Sequence, residues 1–218
     1  HSLLQQINRG FENIPVHELV LLEQKWLPNT PAFFNSKAPL DVLTLSERNW
    51  LQTHTSFSLG IDNSSYPIEF TDDNNNFSGI SSDYVKFISK QLNTKLTTVK
   101  NMTWTQSLAA LKAGEIDVMS SVVRTDKRAE SMLFTKPYFN LASVVVTKKG
   151  GFYAESMNSL DDKKVGVRRG FVEAELITQD YPNIQLVFTS STEEGLKLLN
   201  NDELDAYIDS LPIVNYQI

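Results

Sequence analysis

From Phe57 onward, short runs rich in β-branched residues alternate with capped helical segments, and this alternation limits the fold more than any other feature. FSLGI (57–61), KLTTV (95–99), IDVM (116–119) and LASVVVT (141–147) read as strands, with YPIEF (66–70) as a further extended piece before the turn TDDNNN. Between them, Tyr84, Val85, Ile88 and Leu92 share one helical face, with Ser81 or Ser82 as the expected cap. Thr103 and Gln106 form a capping box for a second helix, lined by Trp104, Leu108 and Leu111. A similar set follows: strand KVGV, helix FVEAELITQDY, strand IQLVF, a helix boxed by Ser191 and Glu194, and strand LDAYI. Such alternation implies an α/β fold with largely parallel sheets. Two sets joined by the strand at 141–147 predict two lobes with a cleft between them.

The chain before Phe57 has a different character. Leu3, Leu4, Ile7 and Phe11 lie at helical spacing, with Gly10 loosening the end of their helix. Pro15 suits the first turn of a second helix that stops before Pro28. Residues 28–43 hold three prolines and no clear period, so they read as a linker. Thr44 and Glu47 then form a capping box for a short helix through His54.

Composition narrows the function. The chain has 218 residues, 41% of them hydrophobic, enough for a sizeable core. Its net charge of −6 argues against nucleic acid and against an anionic membrane surface as partners. Without cysteine it has no disulfide, no thiol catalysis and no cysteine metal site. Its apolar runs fall short of the ~20 residues that span a bilayer. His1, His17 and His54 all precede the α/β region, so a Ser–His arrangement there is not expected. No HExxH, GxSxG, P-loop or GxGxxG occurs, and the acidic residues lack EF-hand spacing. No catalytic residue, metal or cofactor is implied.

The stretch from Trp104 to Tyr138 carries the main candidates. Ser120 and Ser121 follow strand IDVM, and ligands of α/β folds dock at such strand ends. Arg128 follows shortly after and could offer its planar fork to a carboxylate, or pair with Asp126 or Glu130 at the surface. Trp104 could stack on a ligand or serve as a core or rim aromatic. Asp62, after FSLGI, could line a cleft or form a turn with Asn63. Asp209 could face a cationic group or cap the helix begun by Pro212. Arg168 and Arg169 precede a helix start and could recruit an anion or be a solvated pair.

GISSDYVKFISKQL, WTQSLAALKAGEIDVMSS, TDKRAESMLFTKPY, KKVGVRRG and LDAYIDSL occur in that order over about residues 55–218, and together they resemble the bacterial family 3 solute-binding proteins. The form GISSDY resembles the tandem sensor domains of BvgS-type hybrid histidine kinases more than the GFDVDL type of free transport proteins. The resemblance implies a two-lobed periplasmic-binding-protein fold of the Venus flytrap type II class. Its layout would be a helical tail of a preceding flytrap domain at 1–27, linker and short helix at 28–54, lobe 1 at 55–143 and an incomplete lobe 2 at 144–218. It further implies a small-molecule ligand, a carboxylate or amino acid, held between the lobes. The setting would be a periplasmic sensor domain of a receptor anchored in the inner membrane, beside another flytrap domain and dimeric through the parent. The other role open to the family is a free binding protein of an ABC importer.

Position by position, Arg128 matches the arginine of the T-x-x-R motif that holds a ligand carboxylate. Trp104 matches the stacking aromatic, Ser120 and Ser121 the serine pair, and Asp62 a polar residue at the cleft edge. Tyr66 is the displaced first-lobe aromatic. Val123 stands where a hydroxyl is usual, and Val172 replaces another near the second-lobe helix start. The aspartate that grips an α-ammonium aligns with Ser210, while Asp209 sits one residue early, which in a strand means the opposite face.

Overall fold

The computed structural model describes residues 2–26 and 44–218. The linker expected at 28–43 lies outside these. The chain forms two compact units, His1–Asn140 and Leu141–Ile218.

The first unit opens with helices α1 (Ser2–Glu12), α2 (Val16–Trp26) and α3 (Leu45–Thr53). Strands β1 (Ser56–Gly60), β2 (Ser64–Ser65), β3 (Glu69–Thr71) and β4 (Phe77–Ser78) follow, then α4 (Ile80–Leu92), β5 (Lys95–Thr98), α5 (Trp104–Ala113), β6 (Val118–Met119) and the short α6 (Asp126–Ala129). β1 lies between β5 and β6, parallel to both, with Leu59 opposite Thr98 and Val118. β2, β3 and β4 make a small antiparallel sheet in which Ser65 faces Glu69. Phe57, Leu59 and Ile61 are buried, as are Tyr84 and Ile88 of α4. The capping boxes at Thr44 and Thr103 form with both reciprocal hydrogen bonds.

α4 does not start where the serines suggested. Its N-cap is Gly79, at φ +102°. A Cβ there would stand 2.6 Å from the Ile68 carbonyl oxygen. The close approach lets Ile80 and Ser81 donate their amides to the carbonyls of Pro67 and Ile68. Ser81 and Ser82 therefore fall in the first helical turn, fully buried.

α1 packs on α4 within the first unit, through Gly10. A Cβ on Gly10 would lie 3.2 Å from Ile88 Cγ2, so glycine here serves contact rather than loosening. The apolar face read from the sequence is only half-buried, and among the described side chains of α1 the most buried is Gln6. Arg9 pairs with Glu47 at 3.2 Å, and Lys25 and Trp26 both reach Asp83, at 2.5 and 3.1 Å.

The second unit contains β7 (Ser143–Val146), a 3-10 turn (Met157–Leu160), β8 (Lys164–Arg168), α7 (Val172–Asp180), β9 (Gln185–Thr189), α8 (Thr192–Asn200), β10 (Ala206–Ser210) and α9 (Leu211–Gln217). The sheet order is β7-β10-β8-β9; β7 is antiparallel to β10 and the other pairs are parallel. Leu160, Val165, Val167, Ala206 and Ile208 form its core, with Ile177 of α7 packed against them.

Gly195 sits inside α8, where helix propensity alone would favour alanine by about 1 kcal/mol. Packing decides otherwise: a Cβ there would lie 2.0 Å from Tyr207 Cε2. That ring is fully buried and its hydroxyl is hydrogen-bonded, so it has nowhere to swing. Gly195→Ala is expected to destabilise by about 1–3 kcal/mol, the cost of overpacking. Thermal unfolding followed by far-UV circular dichroism checks it, and an unchanged or raised midpoint would mean that α8 moves away freely.

Candidate functional site

The carboxyl ends of β1 and β6 bring Gly60–Asp62 beside Ser120 and Ser121, the strand-end position where α/β folds hold ligands. β3 inserts Glu69 among them, with no exposed surface. Its carboxylate accepts the Asp62 amide at 3.0 Å and the Ser121 hydroxyl at 2.7 Å, together with the Ser120 hydroxyl. Asp62 is also buried and has its own donors: the Ser64 amide and hydroxyl, both at 3.0 Å, and the Ser65 hydroxyl. Burial, then the Asp62 charge, push the Glu69 carboxyl up to about 7 against the pull of its hydrogen bonds. Ser120 Oγ also lies 3.4 Å from the Gly60 carbonyl. A protonated Glu69 can therefore donate to Ser120, whose own proton turns to Gly60. Either charge state has a satisfied arrangement.

Arg128 is buried in α6. The Thr125 hydroxyl caps that turn by accepting the Arg128 amide at 3.2 Å, and Arg128 Nη1 donates to the Val123 carbonyl at 3.0 Å. Arg124 meets Asp126 at 3.3 Å at the surface, whereas Arg128 is buried. Val123 exposes its side chain to solvent. Trp104 is the first residue of α5 and is buried. Tyr66 is half-buried and stacks on Phe70 with centroids 3.9 Å apart, a contact within its own small sheet.

Arg168, Asp209 and Ser210 lie in the second unit. Arg168 and Asp209 form a buried ion pair, with Nε 3.1 Å from Oδ2 and Nη2 3.4 Å from Oδ1. Asp209 also accepts the Thr192 hydroxyl at 2.7 Å, the Tyr207 hydroxyl at 3.2 Å and the Ser210 amide at 2.7 Å. The Arg168 guanidinium lies over the Phe171 ring at 3.6 Å. Two expectations change. Arg168 is not solvated, and the cation that Asp209 faces is the protein's own arginine. The N-cap of α9 is Ser210, half-buried and without a side-chain cap bond, so Asp209 does not cap that helix either.

Residues 57–210 match the bacterial extracellular solute-binding proteins, family 3. The chain belongs to that family. Among its relatives is the virulence sensor protein BvgS of Bordetella bronchiseptica, 21% identical over 216 residues, covering 99% of this chain and 17% of BvgS. A probable histidine-binding protein of Neisseria gonorrhoeae is 34% identical over 156 residues, covering 69% of this chain and 57% of that protein. The chain thus spans less than two thirds of the curated relatives it matches. The arginine-bound form of ArgBP from T. maritima superposes with a TM-score of 0.67 at 25% identity, covering 77% of this chain and 79% of that one. The fold is accordingly the mixed α/β, two-lobed fold of periplasmic binding proteins. The family is one of solute-binding proteins, and this chain is accordingly a binding domain rather than a catalytic one. No helix among the described residues is long and apolar enough to cross a membrane.

Glu69, Thr192 and Tyr207 are the participants that the sequence reading missed. Glu69 did carry a signal: it is the one carboxylate of YPIEF, flanked by Ile68 and Phe70. A charge in such a run is either on the solvated face or buried for a reason, and only tertiary contacts separate these cases.

Proposed function

We propose that the chain is the periplasmic sensing domain of a membrane-anchored receptor, a sensor histidine kinase, which takes a small carboxylate-bearing ligand between its lobes. The observation that carries this reading is coverage. The likeness to BvgS extends over 99% of the chain, leading helices included, whereas the likeness to the histidine-binding protein takes in 69%. Ligand contact with both lobes would favour a closed form, and closure would bias the output domain. Arg128 is the residue proposed to receive the carboxylate, with Ser120, Ser121, Asp62 and Trp104 proposed as further ligand contacts. Arg168 and Asp209 act structurally in this reading, and Ser210 is the second-lobe position left to meet a ligand.

A thermal-shift screen of amino acids, dicarboxylates and nicotinate-like acids tests the proposal, followed by calorimetry of any hit. Arg128→Ala should weaken a carboxylate hit by about 1.5–3 kcal/mol, the usual worth of a hydrogen bond to a charged group. Unchanged affinity would remove Arg128 from the site. The second reading, a free importer binding protein, is favoured by the 34% identity to the histidine-binding protein. A membrane-spanning segment and kinase domain encoded after this domain would decide for the receptor; their absence from the gene would decide for the importer.

A further inference from the structure

Helix α1 reaches the candidate site through one aromatic residue. Phe11 stacks on Tyr138, with ring centroids 5.0 Å apart and planes 19° from parallel. Tyr84 of α4 closes on the same pair, 4.7 Å from Tyr138 and 6.2 Å from Phe11. Just before Tyr138, the Lys136 amide donates to Asn8 Oδ1 at 3.1 Å. α1 therefore grips the segment leading out of the first unit at two points.

The far end of Tyr138 is polar. Its hydroxyl donates to the Ser120 carbonyl at 2.6 Å and lies 3.0 Å from Ser81 Oγ. Ser120 in turn gives its own hydroxyl to Glu69. Burial and the neighbouring Glu69 charge raise the phenol far above its usual range, so its proton stays available to the carbonyl. The packing of one helix thus bears on the backbone of a residue at the strand end.

We propose that α1 regulates the candidate site: its docking holds Tyr138, and Tyr138 holds Ser120 and Ser121 in the geometry that receives ligand. The inference rests on the reading of those serines as ligand-contacting. The α1 seat is well placed to be reversible. Gln6 is fully buried with neither amide atom hydrogen-bonded among the described residues, a costly arrangement that undocking relieves. By linkage, occupancy of the site tightens α1 docking by the same factor as docking tightens the site.

Amide hydrogen exchange on the whole chain tests this without any ligand. The Ser120 amide, which donates to the Gly60 carbonyl, is the reporter at the site. Phe11→Leu should speed exchange in α1 and at Ser120 by about tenfold, a local opening that leaves β8 and β9 unchanged. Tyr138→Phe keeps the ring and should speed Ser120 equally while α1 stays protected. The double variant should be no faster at Ser120 than Tyr138→Phe alone, because the link is already cut. If Phe11→Leu frees α1 but leaves Ser120 unchanged, or if the two effects add, the proposal fails. Should Phe11→Leu unfold the chain, Asn8→Ala takes its place with the same expected and overturning outcomes. Since no ligand enters, an empty ligand screen leaves this result standing, and a negative result here leaves the binding reading standing.

Discussion

Replacing Asp209 with alanine is expected to destabilise the second unit by about 3–5 kcal/mol, the cost of leaving a buried charge without its partner. Arg168 and Asp209 are each only 3% exposed, so water cannot take over the solvation of the arginine. The substitution also removes the acceptor that the Thr192 hydroxyl, the Tyr207 hydroxyl and the Ser210 amide share. All three tryptophans, Trp26, Trp50 and Trp104, lie in the first unit, so their fluorescence is blind to this change. Amide exchange in β8 and β10 is the suitable measurement. Replacing Arg168 and Asp209 together by apolar residues of similar size should cost much less than Asp209→Ala alone, because desolvation of a buried pair nearly cancels its attraction. A loss under about 1 kcal/mol for Asp209→Ala would mean that the pair is hydrated in solution.

The second large effect is a pH dependence carried by Glu69. Its folded-state value of about 7 lies above the ordinary 4.5, so the folded chain holds this proton more tightly than the unfolded chain does. The resulting stability is fully present below about 4.5 and is lost as pH rises to about 7. At 1.36 kcal/mol per unit the loss is on the order of 3 kcal/mol. Other carboxylates oppose it at lower pH. Asp83, despite partial burial, is held below its usual range by Lys25 and Trp26, so its contribution disappears as acid is added. Glu69→Gln isolates the Glu69 share. The stability of the natural chain minus that of the variant should fall by about 3 kcal/mol between pH 4.5 and 8, read from urea unfolding by tryptophan fluorescence of the first unit. A flat difference would show that Glu69 does not titrate in that window.

Both effects depend on partners far apart in the chain, which is why the sequence reading did not contain them. Ser120 and Glu69 are 51 positions apart, and Arg168 and Asp209 are 41. Strand alternation puts Asp209 on the opposite face from Ser210, but it does not name what Asp209 meets there, since four successive residues of β10 are buried. The same limit explains α4, where two serines offered a plausible cap and a glycine took the position because the Ile68 carbonyl stands where a side chain would go.

What the sequence by itself determined was the order and type of the longer elements, though not β2, β4 or α6, because those longer elements follow from spacing, capping and turn chemistry within a few residues. The boxes at Thr44 and Thr103, the strands from FSLGI to LDAYI and the family motifs are all of this kind. Tertiary structure alone decided which side chains meet. It buried Glu69 between two strand ends, turned Arg168 onto Asp209 and laid Phe11 against Tyr138. The physical reason is that charge state, hydrogen-bond role and access to ligand are set by what lies within a few ångströms in space, and neighbours in sequence say little about that.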